Sequence, residues 1–293
     1  VPVSNLLAGT ALVRGLLERA FGVDRRRALP EFRRETFRQW FADRGSRVAT
    51  PDREAVLFPG LYTNHVHVER GQAAVRVLEA LGVGVTVADV SASGRVPLSQ
   101  GMVATARDSA ERVADTLLGH VDAGRDVVVV EPSDHAVFQR EYERLLPEAK
   151  YERLAANSYE VLEYVYGLLE NGADPSALAA PADRTGDGRL AYHGHCQQRT
   201  LGVDRYTEAV LTDLGYDVET SDAECCGMAG SFGYKREYYD VSRAVGEDLT
   251  DGFAADGRPV VASGTSCLEQ LSDLLARPTR HPVEVVDPAQ RRG

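Results

Sequence analysis

The alternation of apolar and polar positions divides the chain into a helical start and two stretches in which short apolar runs alternate with longer amphipathic ones. Leucines at helical spacing in NLLAGTALVRGLLERAFG (5–22), and then LPEFRRETFRQWFADRG (29–45) after a proline break, predict helix over about residues 1–50. EAVLFPG (54–60) has the length and the Pro-Gly boundary of a buried strand. A helix over 69–81, the strand GVTVADV, a long helix over 99–122, the strand DVVVVEP, a helix from Ser133 to Leu146 and a bridging helix around SYEVLEYVYGLLENG are expected next. GADPSALAAPADRTGDGR (172–189) reads as a connector. Beyond it come the strand RLAYHG, a helix near 203–214, the strand YDVETSD, a helix over 235–254, the strand PVVASG, a helix over 265–276 and a last strand PVEVVD. Strands alternating with helices imply an α/β fold whose parallel sheets are covered on both faces. The expected divisions are an N-terminal helical segment (1–50), a first module (51–171), a linker (172–189) and a second module (190–293).

The two stretches repeat one another. At an offset of 133 residues, AVRVLEALGVGVTVADVSASG (74–94) falls on the segment containing EAVLTDLGYDVETSDAECCG (208–227), with Gly82 on Gly215 and Gly94 on Gly227. Each copy has an amphipathic helix ending at glycine, a short strand, and a small-residue turn closed by glycine twelve positions on. The fold expected is therefore two pseudo-repeated parallel-sheet βα units behind a helical segment. The same offset carries Cys196, Cys225, Cys226 and Cys267 onto Thr63, Ala92, Ser93 and Asp134, so the first copy has none of the cysteines of the second.

Those four are the only cysteines, and all lie in the last third of the chain. Core filler does not distribute that way, although free cysteine is often buried as a small apolar residue. The vicinal pair Cys225-Cys226 makes a poor structural disulfide, whereas two thiolates on a turn ending at Gly227 can face one metal centre. Each cysteine follows an expected strand, and loops at the carboxyl ends of parallel strands meet at one edge of the sheet. Cys₄ ligation suits an iron–sulfur cluster or a tetrahedral zinc. Gly227, Gly230 and Gly233 in CCGMAGSFGY would let backbone N–H groups approach a cluster, and glycine loops are also ordinary turns. His193 and His195 share one strand face beside Cys196 and are expected around the centre as hydrogen-bonding neighbours. His65, His67 and His135 with Asp134 form a weaker candidate set, for which polar loop residues are the preferred reading. A packed, hydrogen-bonded imidazole is preferred for His281.

A net charge of −11 argues against a nucleic-acid surface, which needs a basic stripe. Arg33, Arg34, Arg38 and Arg44 read as the solvated flank of an apolar stripe made by Phe32, Phe37, Trp40 and Phe41, which packs on a neighbouring domain. Lys150 and Lys235 are the only lysines among 33 basic residues, a composition that resembles salt-adapted proteins and that a GC-rich genome would also favour. No run approaches the ~20 apolar residues of a membrane span, and no signal peptide is recognisable. A cytoplasmic location, or one peripheral to the cytoplasmic face of the membrane, is expected. The chain opens with Val1 rather than Met, and a fragment of something longer is an expectation that follows.

YHGHCQQRTLG, ECCGMAGSFGYKREYYDVSRAVGE and GTSCLEQL resemble the cysteine-rich CCG domain of heterodisulfide reductase subunits, the iron–sulfur subunit of glycolate oxidase and the C subunit of anaerobic glycerol-3-phosphate dehydrogenase. The closest look is to the C-terminal part of fused FAD-linked oxidases of the D-lactate dehydrogenase type. FPGLYTNHVHVERGQAAVRVLEALG, SGRVPLSQGM and EPSDHAVFQREYERLLP resemble the first CCG copy of those proteins. The resemblance implies tandem CCG modules, with Cys196, Cys225, Cys226 and Cys267 as ligands of a [4Fe–4S] cluster. It also implies FAD on a missing upstream domain or partner, ferredoxin-like clusters upstream, and a quinone or another carrier as electron acceptor. Its function would be to relay electrons in a flavin-dependent 2-hydroxyacid oxidoreductase of the D-lactate or glycolate type. The alternative is a structural or interaction module held together by zinc. Many members end the motif as C-P-T-C, and Gly264 stands for the first of those cysteines.

Overall fold

Helices α1 (Ala11–Phe21) and α2 (Phe37–Arg44) lie ahead of the sheets. The fold is that of a computed structural model, which describes residues 5, 6, 8, 10–181, 188–221, 223–251, 253 and 257–291. Part of the connector expected over 172–189 lies outside the described residues. Helix does not run through the first fifty residues as expected: α1 stops at Gly22, whose left-handed conformation caps it, and the chain is non-helical from there to Thr36. Thr36 then starts α2 with a capping box, its side chain accepting from Gln39 N–H while the Gln39 side chain returns to the Thr36 N–H.

In the first half the elements are β1 (Arg53–Phe58), α3 (Gly60–His65), α4 (Val68–Ala80), β2 (Val83–Val87), α5 (Arg95–Ser99), α6 (Val103–Asp122), β3 (Asp126–Val129), α7 (Pro132–Gln139), α8 (Glu148–Ala156), β4 (Ser158–Glu160) and α9 (Val161–Glu170). The second half carries β5 (Arg189–His193), α10 (Cys196–Leu201), α11 (Asp204–Asp213), β6 (Asp217–Thr220), α12 (Tyr239–Asp251), β7 (Val260–Ala262), α13 (Thr265–Leu275) and α14 (Pro282–Val285). The sheet orders are β2-β1-β3-β4 and β6-β5-β7, and all pairings are parallel. The first strand of each half is thus central, with the second and third strands on the same respective sides.

Strand β1 alternates between two cores, Ala55 and Leu57 facing one and Val56 and Phe58 the other, as period-two geometry requires of a strand buried on both faces. The first of these cores is shared. It contains Val161 and Val165 of α9, Leu190 and Tyr192 of β5, and Val210 and Leu211 of α11, so a single apolar layer joins the halves. Phe37 enters the same core from α2, with Trp40 and Phe41 packed around it. Its ring lies 2.6 Å from where a Cβ at Gly71 would stand, so α4 admits it only because that position is glycine. The aromatic stripe of the N-terminal segment therefore packs on the first half of this same chain, while Phe32 stays half exposed.

The expected last strand is a helix. His281 caps α14, with its Nδ1 accepting from Val283 N–H at 3.2 Å and Glu284 returning to the His281 N–H. Only Arg280 reaches the sheet, in an isolated parallel bridge to Val261. This mirrors the first half, where the short β4 precedes α9, which is capped by Glu160. Residues 158–160, which carry helix-compatible polarity, were expected inside the following helix; the ladder to β3 holds them as strand instead. Truncation of the α2 anchor should be costly: Phe37→Ala is expected to lower unfolding stability by about 3–5 kcal/mol with an unchanged urea m-value. A loss below about 1 kcal/mol in equilibrium unfolding would show that α2 does not belong to the core.

Candidate metal centre

Three strand ends of the second sheet deliver the cysteines. Cys196 is the first residue of α10 after β5, and Cys267 is the third residue of α13 after β7. Cys225 and Cys226 lie on the loop after β6, which turns at Gly227 with φ +85°. A Cβ at that glycine would stand 2.2 Å from the Ser242 carbonyl oxygen of α12, so a side chain is excluded by contact as well as by backbone conformation. The first half has the same joint: Gly94 has φ +83° and its Cβ would stand 2.8 Å from the Ala106 carbonyl of α6. Ala106 and Ser242 are each the fourth residue of their helix.

The buried Arg27, from the segment after α1, fastens this joint in the second half. Its Nε donates to the Gly233 carbonyl at 2.8 Å, Nη2 to Ser242 Oγ at 2.8 Å and Nη1 to Gln270 Oε1 at 2.5 Å. Gln270 in turn donates to the Ser242 carbonyl at 2.7 Å. Asp24 N–H bonds the Tyr234 carbonyl, so the N-terminal segment reaches the cysteine loop as well as the first half.

The Cys226 thiol interacts electrostatically with the thiols of Cys225 and Cys267, and Cys196 with that of Cys225. Cys226 and Cys267 are buried in the core under β5 and β7, beside Ala191 and Met228. The Gly227 N–H lies 3.3 Å from Cys225 Sγ and donates to it. The interaction with Cys226, together with burial, pushes the Cys225 thiol up. Cys226 is pulled down by its interaction with Cys225, but that with Cys267 and burial outweigh this and raise it. Burial and the neighbouring Cys225 raise Cys196. A cluster of protonated thiols of this kind is what a soft cation would ionise on binding. The donor set therefore fits a thiolate-bound metal or cluster in its chemistry. Among the described residues, no group of three or more His, Cys, Asp or Glu side chains is arranged so that it could hold a metal ion.

His193 follows Ala191 on the same face of β5, the face that covers Cys226 and Cys267. It is fully buried, and neither ring nitrogen has a hydrogen-bond partner. Burial, then the nearby charges of His195 and Arg199, lower its pKa to about 4, so it is neutral. A buried imidazole with both nitrogens unpaired is an open donor and acceptor beside the thiols. His195 is used differently: it caps α10, Nδ1 accepting from Gln197 N–H at 3.1 Å while Gln198 bonds the His195 N–H. Its ring is pressed on Gly264, with Cδ2 2.1 Å from where a Cβ would be. Gly230, also at positive φ, lies at the exposed tip of the loop, away from close contacts.

In the first half, the positions matched to Cys226 and Cys267 also meet. Ser93 Oγ donates to Asp134 Oδ1 at 2.6 Å. The histidines of this half do not join them: His135 bonds the Ser158 carbonyl at 3.2 Å, His65 contacts Asn64, and His67 lies 3.8 Å from Glu69. Glu131 is a residue that sequence reasoning missed. Its carboxylate spans the two halves by accepting from the N–H and hydroxyl of Thr265 at 3.2 and 2.7 Å. The signal available was its match, at the common offset, to Gly264.

Comparison with known proteins gives the same answer as the motif. A family model described as a cysteine-rich domain, CCG, matches residues 190–272. The C subunit of the anaerobic glycerol-3-phosphate dehydrogenase of Escherichia coli (strain K12) is 26% identical over 290 residues, covering 97% of this chain and 71% of that protein. The D-2-hydroxyglutarate dehydrogenase of Pseudomonas putida is 28% identical over 251 residues, 81% of this chain and 22% of its own length. That of Escherichia coli (strain K12) is 28% identical over 218 residues, with 72% and 20% covered. Among the described residues, no helix is long and apolar enough to cross a membrane.

The Asp134 carboxyl has a pKa raised to about 6, chiefly by burial, against the pull of the Ser93 hydrogen bond and Arg95. An unfolded Asp titrates near ~3.9, so the folded state holds this proton more tightly and its contribution to stability is complete only below about pH 4. Stability is then lost as pH rises to about 6, by roughly 3 kcal/mol. Asp134→Asn should remove that slope: urea unfolding at pH 4 to 7 is expected to show the wild type losing ground to the variant by about 2–3 kcal/mol. A constant difference between the two would contradict this placement of the proton.

Proposed function

Because residues 190–272 are a cysteine-rich CCG domain, we propose that this chain is the iron–sulfur electron-transfer module of a flavin-dependent 2-hydroxyacid oxidoreductase. The observation that carries the reading is the match of residues 190–272 to the CCG domain, in which Cys196, Cys225–Cys226 and Cys267 each follow one of the strands β5, β6 and β7. Cys196, Cys225, Cys226 and Cys267 would hold the cluster, of [4Fe–4S] type. Bound there, a cluster supplies one-electron carriage. The Gly227 N–H is placed to donate to the Cys225 sulfur, which stabilises charge on it, and His193 offers a further N–H on the same side. The buried thiol pair and the apolar residues around it limit water at the site, which also shapes the potential.

Oxidation of an alcohol carbon requires a hydride acceptor, and cofactors supply that chemistry. In this proposal FAD, carried by an upstream domain or a partner subunit with ferredoxin-like clusters, takes the hydride. The two electrons then pass singly through this module to a quinone or another carrier. The names of the relatives support the substrate class: D-2-hydroxyglutarate is itself a 2-hydroxyacid, and glycerol 3-phosphate is oxidised at a comparable carbinol carbon.

The test is anaerobic reconstitution with iron and sulfide, followed by metal and acid-labile sulfide analysis and absorbance spectroscopy. About four iron and four sulfide per chain with broad brown absorbance are expected, and Cys225→Ser should retain the fold while losing most of both. Uptake of one zinc without sulfide would replace this reading by that of a zinc-held structural module. With D-lactate or glycolate and an artificial acceptor, the reconstituted chain is expected to turn over only when the flavoprotein is added; turnover without flavin would overturn the relay assignment.

A further inference from the structure

We propose that Glu131 of the first half is a positioning residue for the metal centre of the second: it caps helix α13 from the other module and so fixes where Cys267 stands. The proposal rests on the reading of Cys267 as a ligand. Glu131 and Gly264 hold equivalent places, each two residues beyond the third strand of its half and each the N-cap of the helix that follows. Neither caps its own helix with a side chain. Gly264 has none to offer, and the His195 ring occupies the space one would need. Glu131 reaches across to α13, where Oε2 accepts from Thr265 N–H at 3.2 Å and Thr265 Oγ1 at 2.7 Å.

Thr265 is the first residue of α13, two before Cys267, so the bond lies on the same helical turn as the thiol. The first N–H groups of a helix have no partner within it, and an acceptor placed there pins the turn. A second group of the first half grips the same residue: Arg70 Nη1 donates to Thr265 Oγ1 at 2.9 Å. The other carboxylate oxygen of Glu131 accepts from Ser133 Oγ at 2.8 Å, which fixes its direction. Burial alone would raise the Glu131 pKa, but the charges of His195 and Arg95 and the hydrogen bonds of Thr265 and Ser133 outweigh it and bring it to about 2, so the group is a carboxylate. The half without cysteines thus supplies a fixed negative charge and a helix cap to the half that has them.

The contact is read first in the metal-free chain, by the rate at which iodoacetamide alkylates each cysteine, followed by mass spectrometry of the peptides. Glu131→Ala and Thr265→Val are each expected to expose Cys267 to alkylation about tenfold faster, with Cys226 unchanged, and the double variant should be no worse than either single one. Equal rates for wild type and both variants, or equal acceleration at Cys226 and Cys267, would overturn the proposal. If Glu131→Ala unfolds, Thr265→Val carries the test alone, since it removes the hydroxyl, the closer of the two donors, and keeps the shape. In the reconstituted chain, Glu131→Gln should favour the reduced cluster by about tenfold, 59 mV for a one-electron couple, while the exposed control Glu143→Gln leaves the potential in place. An unmoved potential would reduce Glu131 to a purely structural contact and overturn its role at the centre. Failure of the wild type to build any cluster would count against the electron-relay reading, and the alkylation result would still decide the cap.

Discussion

The turn at Gly227 is pressed against the Ser242 carbonyl, and the buried Arg27 guanidinium ties both sides of that contact to α13 through Gln270. A buried guanidinium is tolerated only when its N–H groups are all but satisfied, and removing one member of such a network typically costs about 3–5 kcal/mol. The geometry of the cysteine loop hangs on this contact: Cys226 can reach Cys267 only while the loop backbone lies flat on α12. It follows that the non-helical segment after α1 has a purpose beyond connection. Gly22 ends α1 so that residues 23–27 can run along the loop, where Val23 bridges Lys235 and Asp24 bonds Tyr234.

The two halves share one construction and differ in what they place in it. Gly94 and Gly227 make the same turn against the fourth residue of the next helix, and Ser93–Asp134 occupies the contact that Cys226–Cys267 makes in the other half. A hydrogen-bonded hydroxyl and carboxyl fill the space left without thiols, and the burial that raises the Asp134 pKa keeps the pair neutral near its lower range. In the second copy the contacted helix position, Ser242, lies fifteen positions beyond its glycine, against twelve for Ala106 in the first. The extra length forms the loop of Gly230 and Gly233, which Arg27 holds.

Much of this was legible in the residues. The valine run at 127–129 and the apolar run at 55–58 could be little other than buried strands, and the equal glycine spacing announced the repeat. The placement of each cysteine after a strand was likewise legible, and Cys196, Cys225–Cys226 and Cys267 follow β5, β6 and β7. What escaped depended on partners distant in sequence. Ser158-Tyr159-Glu160 is strand because β3 offers it a ladder, and Val283–Val285 is helix because His281 caps it, although valines alone suggest a strand. The helix at Cys196 is short and begins at a histidine cap, an unusual choice that propensity does not favour. Glu131 looked like one more polar residue after a strand; only the neighbouring half gives its carboxylate a target.

The packing of the His195 ring on Gly264 makes these two positions mutually exclusive as places for bulk. A cysteine at 264, as in the C-P-T-C ending, has no room for even its Cβ while the imidazole lies there. A thiol at 264 would require another residue at 195, or another rotamer of its ring. The cap of α10 would change with it, because that ring also accepts the Gln197 N–H. In this chain, whether a further thiol can stand at 264 is thus set by a side chain that precedes the first of the four.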